Sequence, residues 1–365
     1  MTATALMRAR AASTPRLGEL VAGRANNIQL LRLVAAAAVL LFHCYALTDH
    51  WTDEPLWRLA HELNLGALGV QMFFLMSGFL VTQSWLARRR LVPFVAARAL
   101  RIFPALVAAT LLSALLGALS SRLPAAQFWR DPQTLDYLAH TPLGFDVRHY
   151  LPGAYASNPR PGAVNGSLYT LPYELRLYVV VALAGVAGIL ARRHALAAVL
   201  VAGIAAALAW PQWPNIMFAD GTNEHVDVLV LLFALGSAAY VWRAAIALSP
   251  LGALAAVVLV ALDPFGVARG VLFAPLLAYT LLTVAYHPLL RWRSFNRAGD
   301  YSYGLYVYAF PVQQTLIERL PGITPLALLA VALPATLVLA VVSWHALERP
   351  ALSLKSWFDR TGAKP

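Results

Sequence analysis

Long apolar runs, separated by short polar segments, repeat along almost the whole chain. Each run is apolar on every side of a helix, whereas a surface helix of a soluble protein has one apolar and one polar face. A run of about 20 such residues is long enough to cross the hydrocarbon part of a bilayer. We therefore predict an all-α integral membrane protein with about ten transmembrane helices in one bundle. The predicted helices are 30–47, 66–86, 104–121, 167–190, 195–210, 227–242, 250–263, 271–288, 302–320 and 324–344.

The polar segments define the predicted domain organisation. A polar, basic segment at 1–29 precedes a membrane domain at 30–344, and a tail at 345–365 follows it. The longest polar stretch, 122–166, is rich in proline and aromatic residues. Its aromatic side chains could stack on sugar rings or lie at the membrane interface, where Trp and Tyr are common, and the sequence favours neither.

Composition and charge agree with a membrane protein. Hydrophobic residues make up 60% of the 365 residues, charged residues make up 12%, and the mean hydropathy is +0.64. The net charge of +11 could indicate a nucleic-acid partner. However, the basic residues are divided among the segments between the apolar runs and form no continuous patch. We therefore predict contact with membrane lipids and not with nucleic acid.

Arginine placement predicts the orientation, because cytoplasmic loops next to membrane helices are enriched in Lys and Arg. With ten helices and both termini in the cytoplasm, most of the 28 Lys and Arg residues lie on the cytoplasmic side. Abundant Arg and Ala beside very little Lys is typical of a GC-rich bacterial genome. We predict a multi-pass protein of the inner (plasma) membrane of a bacterium.

Cys44 is the only cysteine of the chain. No internal disulfide and no thiolate metal cluster can form, and we predict no metal site. Cys44 follows His43 directly, and adjacent helical residues point about 100° apart. We therefore interpret Cys44 as a packing residue and not as a partner of the histidine.

Polar residues inside apolar runs cost free energy and are candidates for function. His43 lies eleven positions after Arg32, so both project from one helix face, about 16 Å apart along the axis. The imidazole could accept a proton in catalysis, or it could form a hydrogen bond between helices for packing alone. Arg98 and Arg101, three positions apart, could bind phosphate groups as a pair, or could simply mark the cytoplasmic side.

Further polar residues lie in the second, fourth and ninth runs. Glu174 and Tyr178 share a helix face, and a glutamate in an apolar segment favours a buried pairing role, structural or catalytic. Ser77 is interpreted first as a small packing residue, with a nucleophilic role as the alternative. Tyr303 and Tyr306 lie on one face and could line a polar cavity or belong to an aromatic belt at the membrane interface.

Six motifs follow one another along the chain. They are Arg32–x10–His43, GVQMFFLMSGFL, RALRIFP, GSLYTLPYELRLY, SYGLYVYAFP and LERP. In this order, and over nearly the whole chain, they resemble the membrane-bound acyltransferase-3 family. The resemblance implies a membrane O-acyltransferase that moves an acyl group, usually acetyl from acetyl-CoA, to a hydroxyl of a glycan or other sugar-containing acceptor.

The resemblance also implies roles for individual residues. His43 matches the essential histidine of the family and would act as general base, with Arg32 as its motif partner. Arg98 and Arg101 match the arginines associated with the acyl donor, and we expect them to hold the phosphates of acyl-CoA with help from Arg32. Glu174 matches the acidic residue of the TLPxE motif, and we expect it to orient His43. The residues expected to contact substrate are Ser77, Tyr178, Tyr303 and Tyr306.

Two positions depart from the family pattern. Tyr169 stands where the family often has tryptophan, and Ala309 stands where many members have a histidine, so the mechanism must work without that second histidine. Direct transfer and transfer through an acyl-enzyme are both compatible with the sequence. Two other functions are also compatible with the sequence. One is a glycan or lipid exporter that uses His43 and Glu174 as a proton relay, and the other is an inactive relative that acts in complex assembly.

Overall fold

The computed structural model describes residues 14–23, 25–60, 63–210, 226–263, 266, 272–292 and 299–360. Within these ranges every regular element is a helix, and the only extended pairings are two isolated bridges. The prediction of an all-α protein is therefore confirmed for this part of the chain. The predicted end segments lie partly outside it, at 1–13, residue 24 and 361–365.

The α-helices are numbered here in chain order. The first eight are α1 (Leu17–Val21), α2 (Ile28–Leu47), α3 (Pro55–Ala60), α4 (Leu65–Arg88), α5 (Leu91–Ser120), α6 (Ala125–Arg130), α7 (Pro132–His140) and α8 (Leu171–Val186). The others are α9 (Arg193–Ala209), α10 (Val226–Val241), α11 (Pro250–Ala261), α12 (Phe273–Tyr286), α13 (Ser302–Arg319), α14 (Pro325–Ser343), α15 (Arg349–Ser353) and α16 (Lys355–Arg360). A 3₁₀ turn at Gly166–Thr170 leads into α8, and a π turn at Trp344–Glu348 joins α14 to α15.

Four helical segments of the described chain are long and apolar enough to cross a membrane, by length and composition. They are Ile28–Leu47, Leu65–Arg88, Leu91–Ser120 and the run Pro325–Asp359. Four shorter apolar helices, α9 to α12, accompany them. These helices are typical of a protein that lies in a bilayer. The number of ten spans and the cytoplasmic position of the termini stay predictions.

The helix limits mostly follow the apolar runs, and the third run is the main exception. The sequence placed its start at Pro104, but α5 begins at Leu91 and passes through Pro104 without a break. An interior proline removes one main-chain hydrogen bond and does not by itself end a helix that is formed on both sides. The two arginines that interrupt the apolar run, Arg98 and Arg101, lie inside α5, where polar and aromatic groups of other helices surround them.

Glycine allows two central helices to approach closely. A β-carbon on Gly78 of α4 would lie 2.0 Å from the carbonyl oxygen of Phe233 in α10. A β-carbon on Gly236 of α10 would lie 2.1 Å from the carbonyl oxygen of Leu75 in α4. Small residues allow this kind of contact between membrane helices. The absence of a side chain at Gly78 and Gly236 therefore lets α4 and α10 pack closely.

Two names are used below for the ends of the bundle. The His43 end is the end at which α2 finishes and α4 begins, and the Arg98 end is the opposite one. Residues 122–166 lie at the His43 end, where α6 and α7 cover a small core of Phe128, Tyr137 and Tyr155, which are fully buried. Tyr137 and Tyr155 therefore cannot stack on a sugar, whereas Trp129 in the same segment is 39% exposed.

The described part of the C-terminal tail, residues 345–360, is mostly helical and lies at the Arg98 end. The π turn and α15 continue the direction of α14 beyond residue 344, where the sequence predicted the last span to finish. Farther along, α16 packs against α5, and Arg88 donates to Asp359 over 3.0 Å. The tail thus lies next to the end of α5 that carries Arg98.

Candidate active site

His43 faces an open cavity of about 480 Å³ at the His43 end of the bundle. It lies four positions before the last residue of α2, so helix geometry places it about 6 Å from the end of that helix. A cavity of this volume is in the range of small-ligand pockets, roughly 300–1,000 Å³. Its lining also includes Phe42, Trp51, Trp57, Asn64, Arg160 and Phe310.

The His43 ring is held by aromatic contacts rather than by hydrogen bonds. Its centroid lies 5.5 Å from that of Phe42 and 5.1 Å from that of Phe310, the latter edge to face. Nδ1 is buried and has no hydrogen-bond partner among the residues that the structure describes. A buried nitrogen without a partner costs about 1–3 kcal/mol, so packing alone explains this position poorly. No group of the described chain therefore satisfies this ring nitrogen.

Other expected site residues line a second, enclosed cavity. Its volume is about 40 Å³, which admits water but not an acyl-CoA arm. Arg32, Glu174, Tyr303 and Tyr306 line it together with Phe73, whose ring lies 5.7 Å from that of Tyr306. The structure therefore brings four candidates together in one cavity and places His43 at the wall of another.

Glu174 is bound by two hydroxyl groups and not by the histidine. Its Oε1 accepts a hydrogen bond of 2.6 Å from Ser77 Oγ and another from the hydroxyl of Tyr178. No hydrogen bond or ion pair links it to His43, so the expected pairing is absent from the described residues. The reason is depth: Ser77 lies about 18 Å from the start of α4, whereas His43 lies about 6 Å from the end of α2.

Arg101 is neutralised inside the protein. Its Nη2 donates to Asp300 Oδ2 over 2.6 Å, and its Nη1 lies 3.6 Å from Glu348 Oε2. Arg32 Nη1 lies 3.7 Å from the same Asp300 oxygen. Burial by itself would raise the pKa of the Asp300 carboxyl, but the two guanidinium groups lower it to about 2. This network connects α2, α5, the segment just before α13 and the π turn after α14.

Arg98 has different surroundings. Its guanidinium lies 5.9 Å from the ring centroid of Tyr178, and its buried Nε has no hydrogen-bond partner in the described chain. It makes no ion pair with a described carboxylate. Lys355 of α16 lies within electrostatic range. Of the two arginines predicted to act as a pair, only Arg98 is therefore free to bind an external anion.

Tyr303 and Tyr306 differ in the hydrogen-bond partners of their hydroxyl groups. The hydroxyl of Tyr306 donates to the carbonyl of Ser167 and lies 2.9 Å from Thr170 Oγ1, which fixes the 3₁₀ turn before α8. The hydroxyl of Tyr303 is buried at the enclosed cavity without a hydrogen-bond partner in the described chain. Both tyrosines line the enclosed cavity.

Comparison with known proteins identifies the kind of enzyme that carries these features. A family model described as an acyltransferase domain matches residues 26–345. The chain belongs to this acyltransferase-3 family. The matched region contains both cavities and all of the arginine–carboxylate network of the acyltransferase except Glu348, which lies three residues beyond it.

Two relatives are similar to the acyltransferase along nearly their whole length. The O-acetyl transferase of Shigella phage Sf6 is 28% identical over 357 residues, which cover 91% of this chain and 98% of the relative. Nodulation protein 10 of Rhizobium leguminosarum bv. viciae is 30% identical over 377 residues, which cover 92% of this chain and 95% of the relative. No solved structure matches the acyltransferase significantly.

Sequence reasoning missed both carboxylates of the acyltransferase's ion-pair network. Asp300 and Glu348 lie just outside apolar runs, in the segments GDYSYG and LERP, where a charge is expected to be solvated. One feature of the sequence could have indicated them. The segment from Arg98 to Arg101 carries two positive charges and no acidic residue, so buried arginines there would need carboxylate partners from elsewhere in the chain. The position of Trp51 and Trp57 in the cavity wall could not be predicted, because the sequence does not show how their loop folds back over α2.

Cys44 of the acyltransferase is a packing residue, as predicted. It is fully buried, and its Sγ accepts from Nε2 of Gln313 over 3.0 Å. Among the described residues, no group of three or more His, Cys, Asp or Glu side chains is arranged to hold a metal ion.

Proposed function

We propose that this protein is a membrane-embedded O-acetyltransferase that moves an acetyl group from acetyl-CoA to a hydroxyl of a glycan or other sugar-containing acceptor. Its family and its similarity to a protein named O-acetyl transferase support acyl transfer to oxygen. The observation that carries the residue assignment is the unpaired Nδ1 of His43, buried beside an open cavity.

In the proposed arrangement the chain crosses the inner membrane of a bacterium ten times through the domain 30–344. The segments 1–29 and 345–365 lie in the cytoplasm. The His43 end then faces outward and the Arg98 end faces the cytoplasm. The cluster of Arg88, Arg98 and Lys355 supports this orientation, because positive charge is retained on the cytoplasmic side.

Acetyl-CoA is proposed to bind at the Arg98 end. Arg98 contacts its phosphate groups, because guanidinium groups bind phosphate well and this one has no internal carboxylate partner. Arg101 and Arg32 act as positioning residues through Asp300. The pantetheine arm then passes the enclosed cavity towards His43, and Phe73 and Tyr306 must move apart when the donor binds.

The proposed chemical step is direct. His43 removes the proton from an acceptor hydroxyl, and the oxygen attacks the thioester carbonyl carbon. A carbon–oxygen bond forms, the carbon–sulfur bond breaks, and the imidazolium returns the proton to the departing CoA sulfur. The transfer needs no oxidant and no further reactant. The two substrates meet inside the bundle because they come from opposite sides of the bilayer.

Glu174 is proposed to act as a positioning residue. It holds Ser77 and Tyr178, and it shares the enclosed cavity with Arg32, so its charge balances the cation on the path of the donor. This role of Glu174 replaces the expected one, in which its carboxylate orients His43 directly. Ser77 is then a donor to this carboxylate and not a nucleophile.

The test uses purified protein in proteoliposomes with radiolabelled acetyl-CoA and glycans extracted from cells that carry the gene. We expect His43→Ala to lose activity by roughly 100-fold or more, the usual contribution of a general base. His140→Ala is the matched control, because that histidine lies on α7 away from both cavities and should leave activity unchanged. Unchanged transfer by folded His43→Ala would reject the base, and glycan export without an acylated product would reject acyl transfer.

A further inference from the structure

Two tryptophans lie beside His43 in the wall of the open cavity. The rings of Trp51 and Trp57 meet edge to face with centroids 5.2 Å apart, and both line the cavity. Trp51 is 42% exposed, although it is large and apolar. Tryptophans of an interface belt turn their rings towards lipid headgroups. These two rings instead face the space into which His43 projects.

A buried carboxylate fixes the turn that carries these rings. Glu54 is fully buried, its Oε2 accepts from the amide of Trp57 over 2.6 Å, and its Oε1 accepts from the amide of Leu65 over 3.3 Å. One side chain thereby ties the start of α3 to the start of α4. These two hydrogen bonds compensate the buried carboxylate and hold the tryptophans in a defined position over the cavity.

Hydrogen-bond donors lie on two sides of the same cavity. Asn64 Oδ1 accepts from the amide of Ala67 over 2.7 Å as the cap of α4, and its Nδ2 makes no hydrogen bond within the described chain. On the other side, Arg160 donates to Asp49 over 2.9 Å, and its carbonyl accepts from Gln314 Nε2 over 3.1 Å. Gln314 thus holds the 155–165 segment so that Arg160 reaches the cavity.

We propose that this cavity is a saccharide subsite in which one pyranose ring of the acceptor lies against the Trp51–Trp57 pair and points a hydroxyl at His43. A pyranose has an apolar face of C–H groups that fits an indole, and a rim of hydroxyls that fits the donors of Asn64 and Arg160. The open side of the cavity lets the rest of a glycan continue outward. The inference rests on the proposed function, because it names the place where the acceptor binds.

The first experiment measures binding without turnover. Saturation-transfer difference NMR is recorded on the detergent-solubilised protein with the methyl glycosides of glucose, galactose and mannose, and with sorbitol as the acyclic control. We expect transfer to the ring C–H groups of at least one pyranoside and none to sorbitol. The signal should be lost in Trp57→Ala and Trp51→Ala and retained in Trp57→Phe. Trp129→Ala, a partly exposed tryptophan outside the cavity, should keep it.

The second experiment measures kinetics with the glycan acceptor. Loss of one ring should raise the acceptor KM roughly tenfold, which corresponds to about 1.4 kcal/mol of binding, and leave the KM for acetyl-CoA unchanged. Asn64→Asp keeps the oxygen that caps α4 but removes the amide donor, so it should raise the acceptor KM without lowering the thermal midpoint. A general defect in folding would change both KM values and the midpoint.

The outcomes separate this inference from the proposed function. Acyl transfer without any pyranoside signal, or with an acceptor KM that both tryptophan variants leave unchanged, overturns the saccharide subsite alone. A pyranoside signal that depends on the tryptophans, in a protein that transfers no acyl group, retains the subsite and rejects the proposed function. Equal signals from sorbitol and the pyranosides would show a non-selective polar cavity and also reject the subsite.

Discussion

Arg98 and Arg101 lie one helical turn apart on α5, but only Arg101 is paired with carboxylates. Breaking a buried ion pair on one side costs about 3–5 kcal/mol, because the other charge stays buried. We therefore expect Arg101→Ala to lower the thermal midpoint of the purified protein strongly. Arg98→Ala should leave the midpoint nearly unchanged and raise the KM for acetyl-CoA about tenfold, the effect of roughly 1.4 kcal/mol of lost binding.

Conservative variants sharpen this comparison. Arg101→Lys keeps the positive charge and should recover part of the midpoint. Arg98→Lys should recover part of the donor affinity, because an ammonium still attracts phosphate although it loses the planar fork. If Arg98→Ala unfolded the protein while Arg101→Ala changed only the donor KM, the two assignments would have to be exchanged.

Glu174 offers a second test at a single side chain. In Glu174→Gln the amide oxygen can still accept from Ser77 and Tyr178, whereas Glu174→Ala leaves both hydroxyls unpaired at about 1–3 kcal/mol each. We expect the glutamine variant to keep the wild-type midpoint and a measurable transfer rate, and the alanine variant to lose both. A Glu174→Gln rate as low as that of His43→Ala, in a protein of unchanged midpoint, would favour direct pairing with the histidine in the reacting complex.

The sequence predicts that His43 and Glu174 lie inside the bundle, but not that they lie at different depths. His43 and Glu174 were both expected near the same end of the bundle, because each lies close to the corresponding end of its apolar run. The 3₁₀ turn before α8 begins inside the bundle, where Asn165 Nδ2 donates to the carbonyl of Val307, so Glu174 lies deeper than its position in the run indicates. Helical periodicity gives the face and height within one helix, and contacts between helices depend on tilt and on loops.

Helix packing gives a prediction for α4 and α10. A methyl group at Gly78 would meet main-chain atoms of Phe233, which cannot rotate away, so the helices would have to separate. We expect Gly78→Ala to lower the thermal midpoint and reduce transfer. Gly203→Ala is the matched control, because no atom lies within 4 Å of the added carbon and alanine favours the helix by about 1 kcal/mol. Equal midpoints for the two variants would contradict the close contact.

The predicted helix limits are correct where hydropathy changes at the end of a helix. They are wrong where hydropathy changes inside a helix. The limits of α2 and α4 lie within two residues of the predicted ones. For α5 the apolar run starts after Arg101, so the sequence treated Arg98 and Arg101 as part of a loop. Their charges are tolerated inside the bundle because Asp300, Glu348 and the ring of Tyr178 surround them, and these partners are far away in the sequence.

The proposed function requires that the two ends of the molecule face different compartments. An unpaired guanidinium lies at one end, and a cavity with an unpaired imidazole nitrogen lies at the other. The enclosed cavity is too small for an acyl-CoA arm, so the bundle must widen there for a donor to pass. In the proposed mechanism the thioester therefore reaches the acceptor only after the donor has opened this passage.

This division can be measured by cysteine labelling, since the single native Cys44 is fully buried and should give little background. Gln127→Cys places an exposed thiol on α6 at the His43 end, and Arg192→Cys places one just before α9 at the opposite end. In right-side-out membrane vesicles, a membrane-impermeant maleimide should label Gln127→Cys at once and Arg192→Cys only after detergent is added. The wild-type chain is the control for Cys44. Labelling of Arg192→Cys in intact vesicles would reverse the orientation, and the donor could then no longer reach Arg98 from the cytoplasm.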